Sequence, residues 1–113
     1  MFSLTSGHVY HLYKEPCDMR KSFDALTGIV RNELGRNPAS GEVFTFLNRP
    51  KNSIKLLHWE NGGFVLYYKR LEKGTFTPPK IEAGNTSIKW PQLVLMIEGI
   101  EVKMSIQKAR FMM

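Results

Sequence analysis

The spacing of apolar residues changes several times along this chain, and each change marks an element. His8-Val9-Tyr10-His11-Leu12-Tyr13 is rich in β-formers and stops ahead of Pro16, which predicts a first strand. From Met19 the period lengthens. Met19, Phe23, Leu26, Val30 and Leu34 recur every three or four positions, one apolar face of a helix. Asp18 is a fitting cap before it, and Gly35 a fitting stop after it. Gly28 lies inside this helix, where it costs about 1 kcal/mol relative to Ala. Its expected use is close approach to a neighbouring element.

A turn composition at Asn37-Pro38-Ala39-Ser40-Gly41 is followed by Glu42-Val43-Phe44-Thr45-Phe46-Leu47, a second strand, and by the basic turn Asn48-Arg49-Pro50-Lys51-Asn52. Ser53–Glu60 and Gly63–Arg70 then flank Asn61-Gly62, the strongest short hairpin signal. With those two residues as the loop, Glu60 pairs with Gly63. Trp59 then meets Phe64, Leu57 meets Leu66 and Lys55 meets Tyr68 on one side. Ile54, Leu56, His58, Val65, Tyr67 and Lys69 fall on the other. Both sides carry large apolar groups, so one is expected under the helix and the other under a later segment. Thr77-Pro78-Pro79-Lys80 breaks the pattern, and the chain reads as loop to Asn85. Pro91 to Glu98 predicts a short helix, with proline in its first turn and Gly99 as its C-terminal cap. Residues 103–113, with Lys103, Lys108 and Arg110, read either as a last strand or as a loose basic tail. The expectation is an α+β domain: an antiparallel meander of three to four strands, one long helix in the N-terminal half and a short one in the C-terminal half.

Length and composition narrow this further. The 113 residues fit a single domain, and 42% hydrophobic content supports a packed core rather than disorder. The lone cysteine, Cys17, can form no internal disulfide, which suits a reducing compartment. The N-terminus lacks the basic and apolar regions of a signal peptide, and Leu93–Ile97 is too short to cross a bilayer. A cytoplasmic location with no membrane partner is expected. Sixteen Lys and Arg against ten Asp and Glu give a net charge of +6, which favours a polyanion as partner, although many small basic proteins bind none.

Candidate catalytic chemistry is thin. Asp18, Asp24 and Glu33 share one short helix at spacings that do not converge on a metal, so Asp18 reads as a cap and Asp24 as a surface partner for Arg20 or Arg31. His8, His11 and His58 with Cys17 lack zinc-ligand spacing, and His8 and His11 point to opposite faces of a strand. A helix N-terminus could lower the Cys17 pKa, but no base is placed beside it. No phosphate-binding glycine loop is present. The expectation is no enzyme, no metal and no cofactor; a nuclease built on Asp18 or Asp24 is the remote alternative.

Binding chemistry is better supplied. Arg20 and Lys21 stand in the first helical turn, where the helix dipole disfavours cations unless an anion docks beside them; extension into solvent is the plainer reading. Arg49, Lys51 and Lys55, with Lys69, Arg70 and Lys73 brought near by the hairpin, form a second cluster. Tyr67 and Tyr68 interleave with these cations and could stack on bases or sugars. Trp59, Phe64 and Leu66 read as core. For the cations, a solvated edge that protects the sheet from aggregation is the plainer alternative to the anion-facing role expected here.

Four blocks of the chain resemble a known family. They are Asp18-Met19-Arg20-Lys21-Ser22-Phe23-Asp24-Ala25-Leu26, Gly41-Glu42-Val43-Phe44, Ile54-Lys55-Leu56-Leu57-His58-Trp59 and Gly63 to Phe76. In order and spacing they are similar to the small accessory protein, often called TnpB or the second-reading-frame product, of the insertion sequence sixty-six elements. The likeness runs from about residue 4 to residue 100. It implies a bacterial mobile-element protein that assists transposition beside a separate transposase, and it brings no catalytic residues with it. The expected function is non-enzymatic DNA binding at element ends. Phosphate contacts from Arg20, Lys21, Arg49, Lys51, Lys55, Lys69, Arg70 and Lys73 would carry little sequence information. The alternative is a protein adaptor that docks the transposase without touching DNA.

Overall fold

A computed structural model describes residues 4–98. The element order is β1 (Tyr10–Leu12), α1 (Phe23–Asn32), β2 (Val43–Leu47), β3 (Ser53–Glu60), β4 (Gly63–Arg70), β5 (Ser87–Ile88) and α2 (Trp90–Ile97). The five strands form one sheet in the order β4-β3-β2-β1-β5. The expected segment 103–113 and the Gly99 cap lie outside the described residues.

The α+β expectation holds, but the sheet is mixed rather than an antiparallel meander. β1 and β2 run parallel, with Tyr10 opposite Val43 and Leu12 opposite Thr45. Parallel neighbours need a crossover of a dozen or more residues. Residues 13–42, which include α1, supply it. β5 pairs antiparallel with β1, and its two residues are too few to carry a period that predicts a strand. The hairpin matches its predicted register at every position, from Glu60 opposite Gly63 to Ser53 opposite Arg70. Asn61 and Gly62 both take positive φ, 50° and 84°, as a two-residue loop of the favoured twist requires.

β2 is buried at every position and β3 at its first six, because both faces of the sheet are covered. Side chains alternate between faces along a strand. On one face Phe44, Phe46 and Leu57 pack with Leu26 and Val30 of α1. On the other Val43, Leu47, Ile54 and Leu56 pack with Leu93, Met96 and Ile97 of α2, together with Tyr10 and Phe76. The result is a sheet between two helices, one on each side.

α1, with ten residues, is shorter than the apolar periodicity suggests, whereas α2 has the eight residues expected of it. α1 starts at Phe23, not beside Asp18. The Asp18 carboxylate accepts the Arg20 backbone N–H at 2.8 Å and grips the Arg20 side chain, making a local turn instead of a helix cap. Met19 still packs against the core from this turn, whereas Phe23 is 41% exposed and belongs to neither cluster. Gly28 also departs from expectation, since a Cβ there would meet nothing within 4 Å. α2 begins as its sequence predicts. Pro91 is in the first turn, and the Gln92 side chain accepts the Lys89 backbone N–H at 2.7 Å.

Candidate functional site

Three separate segments meet at the end of the sheet where β2 and β4 finish and β3 begins. The first is the turn between β2 and β3. Asn48 organises it: its Oδ1 accepts the backbone N–H groups of Asn52 and Ser53, each at 3.0 Å, while its Nδ2 donates to Asn52 Oδ1 at 2.6 Å. Lys51 is held in the left-handed region at φ 60°, and Arg49, Pro50 and Lys51 are all exposed at the tip. The second segment follows β4. Leu71 N–H donates to Asn52 C=O at 2.8 Å and Phe76 N–H to Lys51 C=O at 2.7 Å, so the exposed Lys73 sits between two anchors on the turn. The third is the loop before α1. Cys17 N–H donates to Leu47 C=O at 2.8 Å, which places residues 18–22 beside the same end of β2. Asp18 and Met19 line one shallow hollow with Asn48 and Arg49. A second hollow, of about 160 Å³, opens beside Lys51 between Tyr13, Pro16, Leu47, Pro78 and Ile81.

The predicted cations divide by geometry. Lys21, Arg49, Lys51, Arg70 and Lys73 are exposed at this end and pair with no carboxylate among the described residues. Arg20 is exposed there too, but its guanidinium is held by Asp18 at 2.6 Å, and this pairing pulls the Asp18 carboxyl down to about 2. Lys69 points to the other face of the sheet. Its ammonium donates to Ile97 C=O at 2.7 Å and is committed to the C-terminal end of α2. Lys55 is buried, 6% exposed, and its ammonium donates to Met19 C=O and Lys21 C=O at 2.7 Å each. The Tyr68 ring lies 5.0 Å away. Six of the eight predicted side chains thus share one end, while two are engaged inside the molecule.

Aromatic groups also differ from expectation in part. Trp59 and Phe64 stack edge to face at 4.9 Å, and Tyr67 packs on the α2-side core. Tyr68 is 50% exposed beside Arg70 on the α1 face. Phe23, read as core from its spacing, stands exposed next to Arg20 and Lys21 and lines a wide depression with them. Its position as the first helical residue, ahead of the sheet-covering turn, is the signal that periodicity alone overlooks.

Several of the remaining titratable groups are tied up in structural contacts. The Cys17 thiol is buried and its pKa is raised by desolvation, only partly offset by Lys21 and Lys55, contrary to activation by a helix N-terminus. Asp24 makes no ion pair with Arg20 or Arg31. His8 and His58 meet edge to face at 4.9 Å, and burial lowers the His58 pKa. His11, buried and stacked on Phe44, lies between Thr86 Oγ1 at 2.8 Å and the Glu42 carboxylate at 3.4 Å. Glu42 takes two bonds from Arg36, at 2.8 and 2.9 Å, which hold its carboxyl at about 2. Among the described residues no group of three or more His, Cys, Asp or Glu could hold a metal ion, and no helix is long and apolar enough to cross a membrane.

Comparison with known proteins places this arrangement in a family. The chain is 34% identical over 84 residues to the uncharacterized protein y4hO of Sinorhizobium fredii, covering 74% of this chain and 73% of that one. It is 25% identical over 87 residues to the uncharacterized protein y4jC of the same organism, covering 77% and 74%. No solved structure matches it. The family model described as IS66 Orf2 like protein matches residues 8–107, so nearly the whole fold, including every segment of the basic end, falls within it; the chain belongs to this family of insertion-sequence accessory proteins.

Proposed function

We propose that this protein assists transposition by binding DNA through the basic end of its sheet, without catalysing a reaction itself. The observation that supports this most is the convergence of Lys21, Arg49, Lys51, Arg70 and Lys73 from three chain segments onto one surface, with no carboxylate paired to any of them among the described residues. Cations grouped in this way neutralise successive phosphates and release their counterions. Backbone contacts of this kind position a protein on a duplex rather than read its sequence. The exposed rings of Phe23 and Tyr68 flank the cations and suit contact with sugars or unstacked bases. The DNA of element ends, in the cytoplasm, is the partner this reading implies.

The test is a salt titration of binding to element-end and random duplexes. Affinity should fall with salt at a slope near −0.9 per phosphate neutralised. Reversing Arg49, Lys51, Arg70 and Lys73 to glutamate should abolish binding while leaving the fold intact. Affinity independent of salt, or no binding in low salt, would sink the proposal.

A second reading rests on β4. It is an edge strand, and Val65 and Tyr68 are 43% and 50% exposed on its two faces. An edge of this kind can dock another protein, here the separate transposase. Co-purification with the transposase after nuclease treatment, unchanged by the four-residue charge reversal, would favour this over DNA contact.

A further inference from the structure

We propose that Lys55 is the positioning residue of the basic end: its buried ammonium ties the loop before α1 to the sheet and thereby fixes where Lys21 presents its charge. The inference rests on the DNA-binding reading for its functional consequence, but its structural half stands on geometry alone. Lys55 lies on β3, directly opposite Tyr68, on the face covered by α1. It is nearly buried, yet its Nζ has no carboxylate partner among the described residues. Its two protein acceptors are the carbonyls of Met19 and Lys21, both at 2.7 Å, and the Tyr68 ring covers it at 5.0 Å.

An ammonium taken from water must find acceptors, and one charged donor bridging two carbonyls fixes both. These carbonyls flank Arg20. The loop's own bonds are short-range: Lys21 N–H to Asp18 C=O at 3.0 Å, and Arg20 N–H to the Asp18 carboxylate at 2.8 Å. Cys17 N–H to Leu47 C=O secures only the loop's start. Lys55 is therefore the polar bridge that joins residues 19–21 to the sheet carrying Arg70. With a neutral residue here the loop keeps only the Met19 packing and the Cys17 bond as ties to the sheet, and Lys21 then presents its charge from a wider spread of positions.

The decisive experiment is a two-residue cycle on the full-length protein with a random-sequence DNA duplex as probe. Salt slopes are measured for the wild type, Lys55→Met, Lys21→Ala and the double variant. Each single change should reduce the slope by about 0.9, one phosphate's worth, and the double should lose no more than either alone. A slope unchanged in Lys55→Met, or losses that add in the double, would overturn the inference. Amide exchange supplies a readout independent of DNA. In Lys55→Met the Arg20 and Lys21 amides should exchange at least about tenfold faster, a loss of local rather than global stability, while those of β2 and β3 keep their protection. Unchanged exchange at Arg20 and Lys21 rejects the role even where DNA binds. If the wild type binds no DNA, the proposed function falls and exchange alone still decides this inference. Lys55→Gln, with a shorter neutral amide, carries the same expectations should the methionine variant not fold. Failure of both to fold would also overturn it, since Lys55 would then sustain the core rather than the loop.

Discussion

Gly28 shows how a residue can look costly in sequence for a reason the fold does not supply. In a helix it carries the usual entropic penalty, and close packing against a neighbour is the common justification. Here the space around it is open. Gly28→Ala should therefore raise stability by about 0.5–1 kcal/mol, read as a shift in the urea midpoint without a change in slope. The same contrast applies to charge. Lys55 and Lys69 look like their neighbours Arg49 and Arg70 in the sequence, yet each is turned inward to backbone carbonyls. Their alternation in the strands was legible. The presence of an unsatisfied carbonyl at the right distance was not, because both acceptor segments are remote in sequence. Phe23 illustrates the complementary limit: apolar period assigns a face, but not where along the helix that face runs out of sheet.

Elements built from local signals could be read closely. The β3–β4 hairpin follows from Asn61-Gly62 and strand alternation, and its register is the predicted one throughout. α2 follows from Pro91 and the apolar run after it. What local signals do not encode is partner choice. The parallel pairing of β1 with β2, and the arrival of β5 beside β1, depend on packing across the whole chain. The start of α1 departs from its apolar period for a related reason, since the Asp18 turn competes with helix there. At the opposite helix, Lys69 holds the terminal carbonyl of Ile97. Lys69→Met should cost about 1–2 kcal/mol, consistent with a charged hydrogen bond at a helix C-terminus, and should leave the salt slope of DNA binding untouched. A matching substitution at Arg70 should do the reverse. Thermal unfolding and binding measured on both variants separate the two roles of these adjacent cations.

At the scale of the molecule, a polar chain from Arg36 through Glu42 and His11 to Thr86 links the loop after α1 to β2, β1 and the approach to β5. Its titration sets an acid limit. Burial lowers the pKa of His11 and of His58 below the usual 6.5, so the unfolded chain binds more protons and stability declines as pH falls below about that value. Glu42, held at about 2 by Arg36, contributes stability that is present above 4.5 and disappears as pH drops from there through 2. Chemical denaturation across this range should show both declines, and Glu42→Gln should flatten the lower one. The strand order has a further consequence for synthesis. β1 precedes the other described strands in the chain, yet it lies between β2 and β5, and its Tyr10 waits for Ile88, which follows the β3–β4 hairpin. The β3–β4 hairpin can close on its own as it emerges, whereas one side of β1 stays open until Ser87 and Ile88 have also emerged. A nascent chain that stalls after the hairpin therefore carries an uncovered strand rim, the kind of surface on which incomplete products stick to one another.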